Sequence, residues 1–389
     1  MKFTFRTAGQ IRFGLGESAH SAGEAARLGK RVLLVTGASS LQRSGVLSRL
    51  SADLERAGLS AVAWKVTQEP DVALVDEGAR LAREGHCDVV LAVGGGSVLD
   101  AAKAVAALAT NEGSVLDYLE DVPGGGGRAV GRAPLPLICV PTTAGTGSEV
   151  TRNAVIRVPQ FGVKRSMRDD RMVPRVAIVD PGLIATAPLP VIAAAAFDAL
   201  THLMEAYLTR NPQPTTDALA VAGMRRSLAA LRDLSGGQAT VATWESLALA
   251  SLWGGMALAN AGLGAVHGLV APLGGLRPVP HGVGCARLLP ETMVVNARAL
   301  RERAPESAAL TRLGEVVEII GGGSLACSTE LLVSLRRKLG VPTLTSYGVE
   351  PADFPAMVAA ARGASMRGNP IELTDAELLE ILAAALATA

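Results

Sequence analysis

The chain has 389 residues, 49% of them hydrophobic, so it is long enough to form two ordinary domains, each with its own core. A net charge of +1 without long basic runs and an aromatic share of only 3% argue against a nucleic-acid partner. No uninterrupted apolar run approaches the ~20 residues of a membrane span, so we also expect no membrane partner.

The first half alternates short runs of β-branched residues with helical patterns. This alternation with short links predicts an α/β domain built on a doubly wound parallel sheet. The predicted strands are 31–36, 61–66, 88–93, 135–140 and 176–180, and the predicted helices are 41–57, 72–84 and 98–110. The glycine-rich stretch 123–128 is predicted to be a surface loop.

After Asp180, Ala- and Leu-rich helical patterns dominate and strand signals almost vanish. We therefore predict an α/β domain over 1–180 and an all-α domain over 181–389. The predicted helices are 191–208, 214–231, 240–261, 306–320, 328–339, 351–361 and 374–388. Pro351 in a first turn and Thr374 as an N-cap fit the usual helix starts.

Two polar, glycine-containing stretches follow predicted strands. Gly94-Gly-Gly-Ser97 opens a helix, where backbone N–H groups and the helix N-terminus favour a phosphate. The same letters at 321–324 follow a helical pattern and predict only an inter-helix loop. The stretch 141–151 offers hydroxyls and amides for ribose or pyrophosphate, and the alternative is a turn capped by Thr146 or Ser148.

Three of the five histidines of the chain occur in one part of its second half. Asp198 and His202 are four residues apart and share one face of a helix, and His267 and His281 follow. Three neutral imidazoles and a carboxylate suit Fe²⁺ or Zn²⁺. Alternatively, Asp198 and His202 can form a surface ion pair on a helix, and any single histidine can be a core residue whose hydrogen bonds are all formed. The apolar surroundings of Asp198 favour a metal, because an unpaired buried charge is costly.

Taken in order, these motifs resemble the iron-containing (group III) alcohol dehydrogenase family over nearly the whole length. The matching stretches are Phe13–Gly16, Gly94–Asp100 with Lys103, Pro141–Glu149, Val179–Leu183, Asp198–His202, His267 with Gly268, Pro280–Gly282 and Gly368–Pro370. The resemblance implies an N-terminal dinucleotide-binding α/β domain, a C-terminal helical metal and substrate domain, and an active site in the cleft between them. It also implies hydride transfer between a nicotinamide and a small alcohol or carbonyl that a divalent metal polarises.

The resemblance assigns roles to individual residues. The expected metal ligands are Asp198, His202, His267 and His281, of which His267 and His281 are also counted as catalytic. The expected cofactor-binding residues are Gly37, Ser39, Ser40, Gly94, Gly95, Gly96, Ser97, Asp100, Thr142, Thr143, Thr146 and Lys164. Asn153, Leu258 and Ser365 are expected to line the substrate pocket.

The chain departs from the family pattern at three places. Ala271 stands where many relatives carry a histidine that helps to relay the proton, so water or a ribose hydroxyl is expected to replace it. Leu258 stands where some relatives have a large aromatic residue, which leaves more room beside the nicotinamide. No acid follows the first strand to repel a 2′-phosphate, and Ser39, Ser40 or Arg43 can hold one. We therefore expect NADP, with NAD as the alternative.

Three other enzyme functions share part of this pattern. Maleylacetate reductases generally lack the full ligand set, and hydroxyacid–oxoacid transhydrogenase is a further oxidoreductase. A lyase similar to dehydroquinate synthase needs basic residues in the helical half, where Lys338 is the only lysine but arginines such as Arg277 can serve. This alternative is therefore disfavoured and stays open. Four scattered cysteines and an N-terminus without an apolar signal core predict a cytoplasmic protein. Its relatives predict a homodimer or a larger assembly.

Overall fold

A computed structural model describes residues 2–37, 40–123 and 126–387, and the chain forms two compact units. The α/β unit comprises Thr7–Thr143 and Gly147–Ala187. The helical unit comprises Met1–Arg6, Ala144–Thr146 and Pro188–Ala389. The helical unit is thus assembled from three separate stretches of chain. The single boundary predicted near residue 180 lies where the last strand of the sheet ends.

The core of the α/β unit is a six-stranded sheet in the order β1-β8-β5-β4-β2-β3, and all its neighbouring strands pair in parallel. The strands are β1 Gln10–Phe13, β2 Arg31–Gly37, β3 Ser60–Val66, β4 Val89–Gly94, β5 Leu137–Pro141, β6 Asn153–Val158, β7 Val163–Arg168 and β8 Val176–Val179. The chain runs from β2 outward to β3 and returns on the other side of β2 to form β4. The predicted doubly wound parallel sheet is confirmed.

Three strands, β1, β6 and β7, were not predicted, because their sequences lack the pattern of a central parallel strand. The edge strand β1 is only four residues long, and its partner β8 lies far along the chain. Strands β6 and β7 form a separate antiparallel ribbon whose residues are largely charged or partly exposed. Neither pattern resembles the buried apolar run of a central parallel strand.

The helices of the α/β unit are α1 Ser21–Leu28, α2 Ser40–Arg43, α3 Val46–Arg56, α4 Val72–Glu84, α5 Gly96–Leu108 and α6 Pro181–Ile184. The predicted helix 41–57 is wrong as one element, because Gly45 adopts a left-handed conformation with φ 73° and separates α2 from α3. Helix α4 has the predicted bounds, since Asp71 caps its first turn by accepting from the amide of Leu74. The predicted loop 123–128 lies partly outside the described residues.

The helical unit contains α7 Leu189–Leu208, α8 Pro214–Ser235, α9 Val241–Ala261, α10 Ala265–Leu276, α11 His281–Arg303, α12 Ala308–Ile320, α13 Leu325–Lys338, α14 Phe354–Ala360, α15 Ala364–Arg367 and α16 Asp375–Ala387. Helices α10 and α11 are absent from the predicted elements, because Pro272 and Pro290 lie inside them. The stretch 321–324 joins α12 to α13 as predicted, with Ser324 capping α13.

Helix α7 lies at the centre of the helical unit and packs against α8, α9 and α11. Its length and composition would suffice to cross a membrane, although Asp198, His202 and Glu205 interrupt its apolar residues, but 89% of its most apolar stretch is buried inside the protein. The segment Ala144–Thr146 joins this unit beside α7. A Cβ on Gly145 would lie 3.0 Å from the backbone of Ala195, so a larger residue would require the backbone to shift by a few tenths of an ångström.

Candidate functional site

Helix α7 presents a row of buried polar side chains in an otherwise apolar environment. Asp198, His202 and Glu205 follow one another at spacings of four and three residues and therefore share one helix face. Their exposed fractions are 2%, 4% and 7%. Buried charge of this kind needs partners, and the neighbouring helices supply them.

Helix α10 brings His267 to this row, and two remote side chains fix where the helix begins. The amide of Val266 donates to Glu205 Oε1 at 2.7 Å, and the amide of Ala265 donates to Asn369 Oδ1 at 3.1 Å. Both amides belong to the first turn, which has no partners within the helix. A Cβ on Gly264 would lie 2.9 Å from Glu205 Oε1, so the glycine allows the carboxylate to reach the helix end.

The four predicted metal ligands converge. Asp198 Oδ1 lies 3.6 Å from His202 Nε2, 3.4 Å from His267 Nε2 and 3.5 Å from His281 Nε2. These distances exceed those of ordinary N–H···O hydrogen bonds, about 2.7–3.2 Å. They match the edges between ligands of one ion, which are about 3.4 Å for tetrahedral bonds of about 2.1 Å.

The protonation of His267 indicates what lies between these atoms. Its Nδ1 is 2.6 Å from Glu205 Oε2, so we assign the proton of the neutral ring to Nδ1. The lone pair of Nε2 then faces the carboxylate oxygen of Asp198. Two acceptors at 3.4 Å repel each other unless a proton or a cation is between them. The donor set therefore fits a divalent metal ion.

The electrostatics of the cluster agree with this interpretation. Burial works to raise the pKa of Asp198, but the neighbouring imidazoles, His202 foremost, lower it below its usual range. Burial lowers the pKa of His202 to about 3 and keeps that ring neutral. Burial also works to lower the pKa of His267, but Cys285, Glu205 and Asp198 together raise it well above its usual value. Without a metal, this raised pKa favours a second proton on His267 at Nε2. A bound cation uses the lone pair of the same atom, so protons and the metal compete for it.

A buried thiol, which the sequence analysis did not select, completes the cluster. Cys285 Sγ lies 3.2 Å from Asp198 Oδ1 and 3.7 Å from His267 Nε2. Burial raises the pKa of this thiol to about 12. Among the described residues, one group of possible ligand atoms lies within 4.8 Å of one another, and it consists of Asp198, His267, His281 and Cys285. His202 is outside this group, although its Nε2 lies 3.6 Å from Asp198 Oδ1.

Spacing along helices gave signals for two of the missed residues. Glu205 lies seven residues after Asp198, and Cys285 lies four residues after His281, so each shares a helix face with a predicted ligand. The second signal was hidden because α11 itself was not predicted. Asn369 belongs to a stretch that matched the family, but nothing local links it to the amide of Ala265.

One side of the cluster is open. The side chain of His281 is 41% exposed, whereas those of Asp198, His202 and His267 are 5% exposed or less. Catalytic metal sites keep such an open position for water or substrate. Ala271, at the place of the relay histidine, is exposed and carries only a methyl group, so it transfers no proton.

In the α/β unit, the predicted phosphate-binding glycines occur where β4 meets α5. Gly94 ends the strand, Gly95 is the N-cap, and Gly96 and Ser97 begin the helix. A Cβ on Gly94 would lie 2.5 Å from Val98 Cγ2, so this glycine permits the close packing of strand and helix. The N-cap residue Gly95 has no side chain to cap the first amides of α5, a helix start that favours an anion.

The predicted threonines lie beside this turn. The Thr142 amide donates to the carbonyl of Gly94 at 3.0 Å, and a Cβ on Gly95 would lie 3.4 Å from Thr143 Cγ2. Thr146 belongs to the segment that is grouped with the helical unit. Ser148 begins a short 3-10 helix after Gly147, and its hydroxyl donates to Asp100 Oδ1 at 2.6 Å.

Two predicted cofactor residues already have protein partners. Asp100 Oδ2 accepts from the amide of Val155 at 2.9 Å, and its other oxygen accepts from Ser148. Lys164 Nζ on β7 pairs with Glu69 at 2.7 Å. These contacts hold the β6–β7 ribbon, so any contact of Asp100 or Lys164 with a nucleotide has to share or replace them.

The other predicted residues lie at distinct places. Gly37 ends β2, next to the end of β4, and Ser40 begins α2, while Ser39 lies outside the described residues. Ligands bind such sheets at the carboxyl ends of strands where the winding reverses, which is between β2 and β4 here. Of the three predicted pocket residues, Asn153 begins β6, and Leu258 and Ser365 lie on α9 and α15. All three are half-buried.

Comparison with known proteins gives consistent matches over both units. Residues 8–181 match the family model described as iron-containing alcohol dehydrogenase, and residues 192–386 match the C-terminal model of the same family. The chain is 35% identical to 1,3-propanediol dehydrogenase from Citrobacter freundii, over 91% of this chain and 90% of that protein.

Solved structures agree. A variant of an archaeal halo-thermophilic alcohol dehydrogenase from a Red Sea brine pool superimposes with a TM-score of 0.91 at 27% identity, covering 99% of this chain and 98% of that one. Sulfoacetaldehyde reductase from Bifidobacterium kashiwanohense, crystallised with NAD⁺, gives a TM-score of 0.86 at 26% identity, with 100% of both chains covered.

Proposed function

The chain belongs to the iron-containing alcohol dehydrogenase family, and we propose that it interconverts a small alcohol and its carbonyl compound by hydride transfer with a nicotinamide dinucleotide. The observation that carries this proposal is the convergence of three imidazole Nε2 atoms on one buried carboxylate oxygen, at 3.4–3.6 Å. Such a cluster has a clear chemical use around a divalent ion and little use without one.

Asp198, His202, His267 and His281 are the proposed ligands of Fe²⁺ or Zn²⁺. When bound, such an ion supplies Lewis acidity, which polarises the substrate oxygen and stabilises alkoxide charge. The carboxylate of Asp198 compensates part of the ionic charge inside the helical unit. Glu205 holds the Nδ1 proton of His267 and so keeps the lone pair of Nε2 directed at the ion.

The dinucleotide is proposed to place its pyrophosphate at the start of α5, over Gly95 and Gly96. The uncapped helix N-terminus supports this placement, because its amides and dipole attract phosphate. We propose NADP(H) as the preferred cofactor, since Gly37 at the end of β2 presents no acid to a 2′-phosphate. Hydride transfer itself is the chemistry of the nicotinamide.

The proton that accompanies hydride transfer is proposed to travel through water or a ribose hydroxyl. The exposed methyl group of Ala271 supports this route, because it removes the side chain that could exchange protons at that place. The open side of the cluster at His281 allows water to approach.

The proposed function is tested by metal analysis of the anaerobically purified protein together with assays on a panel of small aldehydes and ketones. We expect oxidation of NADPH that is lost on chelation and restored by Fe²⁺ or Zn²⁺. Activity that survives complete metal removal would overturn the proposal. A panel graded by chain length and charge then identifies the substrate class.

The variant His267→Ala is expected to abolish turnover and to leave nucleotide affinity nearly unchanged. His267 lies in the metal cluster of the helical unit, whereas the proposed phosphate contacts lie in the α/β unit. Turnover and fluorescence titration with NADPH measure the two properties separately. Retained turnover with lost cofactor binding would contradict the assignment of His267.

A further inference from the structure

The cluster around Asp198 contains one more potential ligand than the family resemblance supplies. Cys285 Sγ, Asp198 Oδ1 and the His267 and His281 nitrogens all lie within 4.8 Å of one another. We propose that Cys285 coordinates the bound metal as a thiolate, in addition to the proposed ligands Asp198, His202, His267 and His281, which makes this a mixed oxygen, nitrogen and sulfur site. The inference rests on the proposed function in one respect, namely that the protein holds a divalent metal.

The distances suit coordination by sulfur. Bonds of about 2.1 Å to oxygen or nitrogen and about 2.3 Å to sulfur give tetrahedral edges of about 3.6 Å between the two kinds of ligand. Cys285 Sγ lies 3.2 Å from Asp198 Oδ1 and 3.7 Å from His267 Nε2, on either side of that value. Asp198 Oδ1 and His267 Nε2 are 3.4 Å apart, which matches an oxygen–nitrogen edge.

The local structure places the thiol of Cys285 beside the proposed ligands. Helix α11 begins at His281, and Cys285 follows one turn later on the same helix face. The cysteine is completely buried, so its sulfur contacts ligand atoms rather than bulk solvent. Cys327, in contrast, is exposed on α13 and provides a thiol of the same chain outside the cluster.

Coordination changes the state of the thiol. Without the ion, the thiol of Cys285 keeps its proton and donates a hydrogen bond to Asp198 Oδ1. When a dication binds, the S–H bond breaks, a metal–sulfur bond forms, and one proton leaves to solvent. No electron is transferred. Because thiolate is a softer ligand than imidazole or carboxylate, it shifts the preference of the site towards Zn²⁺ and away from Fe²⁺.

The test uses the full-length protein loaded with stoichiometric metal. X-ray absorption at the zinc edge is expected to show a sulfur neighbour at about 2.3 Å beside nitrogen and oxygen neighbours at about 2.0–2.2 Å. The Co²⁺-loaded protein is expected to show a thiolate-to-cobalt charge-transfer band in the near ultraviolet. Cys285→Ser loses both signals, while Cys327→Ser keeps both. Zinc is also expected to lose part of its advantage over Fe²⁺ in competition for the Cys285→Ser protein.

The outcomes separate this inference from the proposed function. A wild-type metal site with only nitrogen and oxygen neighbours overturns the role of Cys285 and leaves the dehydrogenase assignment intact. A sulfur signal that persists in Cys285→Ser overturns it as well. A protein that binds no divalent metal overturns the proposed function together with this inference.

Discussion

Glu205 uses its two carboxylate oxygens for two different tasks. Oε2 accepts a hydrogen bond from Nδ1 of His267, and Oε1 accepts one from the amide of Val266 at the start of α10. The variant Glu205→Gln can serve only one of these donors with its single oxygen, so we expect the affinity for metal to fall by about 10–100-fold. Metal titration against a competing chelator measures the change.

Glu377→Gln is the matched control for this prediction. Glu377 is also 7% exposed, but it lies on α16 and pairs with Arg303 instead of a histidine. Equal metal affinity in the Glu205→Gln, Glu377→Gln and wild-type proteins would show that Glu205 does not position His267.

Gly37 is the residue at which the cofactor preference can be changed. A Cβ there would lie 3.8 Å from Val98 Cγ2, an ordinary van der Waals contact, so the backbone leaves room for a Cβ. We expect Gly37→Asp to raise the ratio of kcat/KM for NADH over NADPH by about tenfold, through repulsion of the 2′-phosphate. Gly37→Asn has nearly the same shape without the charge. If both variants give the same ratio, the effect is steric and Gly37 does not face the ribose.

At the scale of elements, Gly282 determines how closely α11 approaches α7. A Cβ at this position would lie 2.4 Å from the carbonyl oxygen of Ala194, so Gly282→Ala forces α11 away and takes His281 with it. We expect a loss of stability of about 1–3 kcal/mol, as for other overpacked sites, and weaker metal binding. Thermal unfolding with and without metal measures both effects.

Gly314→Ala is the matched control in the same unit, and we expect it to increase stability where Gly282→Ala decreases it. Gly314 is an exposed residue inside α12, and a Cβ there meets nothing within 4 Å. Alanine is favoured over glycine in such a helix by about 0.5–1 kcal/mol, so this variant is expected to be more stable than the wild type. Stabilisation by Gly282→Ala as well would refute the proposed close contact.

The elements that could be predicted are those whose signals are local. Helix α4 has an apolar face, an Asp71 cap and Gly85 after its end, and both bounds were predicted. Helices α10 and α11 have prolines inside them, and the start of α10 depends on Glu205 and Asn369 from elsewhere in the chain. Their helical state is therefore a consequence of tertiary structure.

The candidate site divides in the same way. The spacing of Asp198 and His202 on one helix could be read from the sequence, and the geometry brings both beside His267 and His281. The place of Cys285 in the metal cluster could not be predicted from the sequence, because it depends on α11 being a helix.

For the molecule as a whole, Glu149 is expected to make stability depend on pH. Burial raises the pKa of this carboxyl group to about 7 from 4.5, against an opposing effect of Lys103. The folded protein then binds more protons than the unfolded chain between these values. Its stability falls as the pH rises through that window, by roughly 3 kcal/mol for a difference of about 2.5 in pKa.

The variant Glu149→Gln stays neutral at every pH, so we expect it to lose this decline and to exceed the wild type in stability above pH of about 7. Denaturant unfolding at several pH values from about 5 to about 8 measures the trend. Glu84→Gln, at an exposed position on α4, controls for the general effect of removing a carboxylate. A wild-type profile that rises across this window would contradict the prediction.

The three-part origin of the helical unit has a consequence for recombination between relatives. Gly145 fits against Ala195, and Asn260 exchanges hydrogen bonds of 2.7 and 2.8 Å with the backbone of Arg6. A chimera with a single crossover after Ala187 therefore inherits these partners from different parents. Grafts that carry residues 2–6 and 144–146 along with the second half keep the matched pairs, and libraries designed this way should retain more folded members.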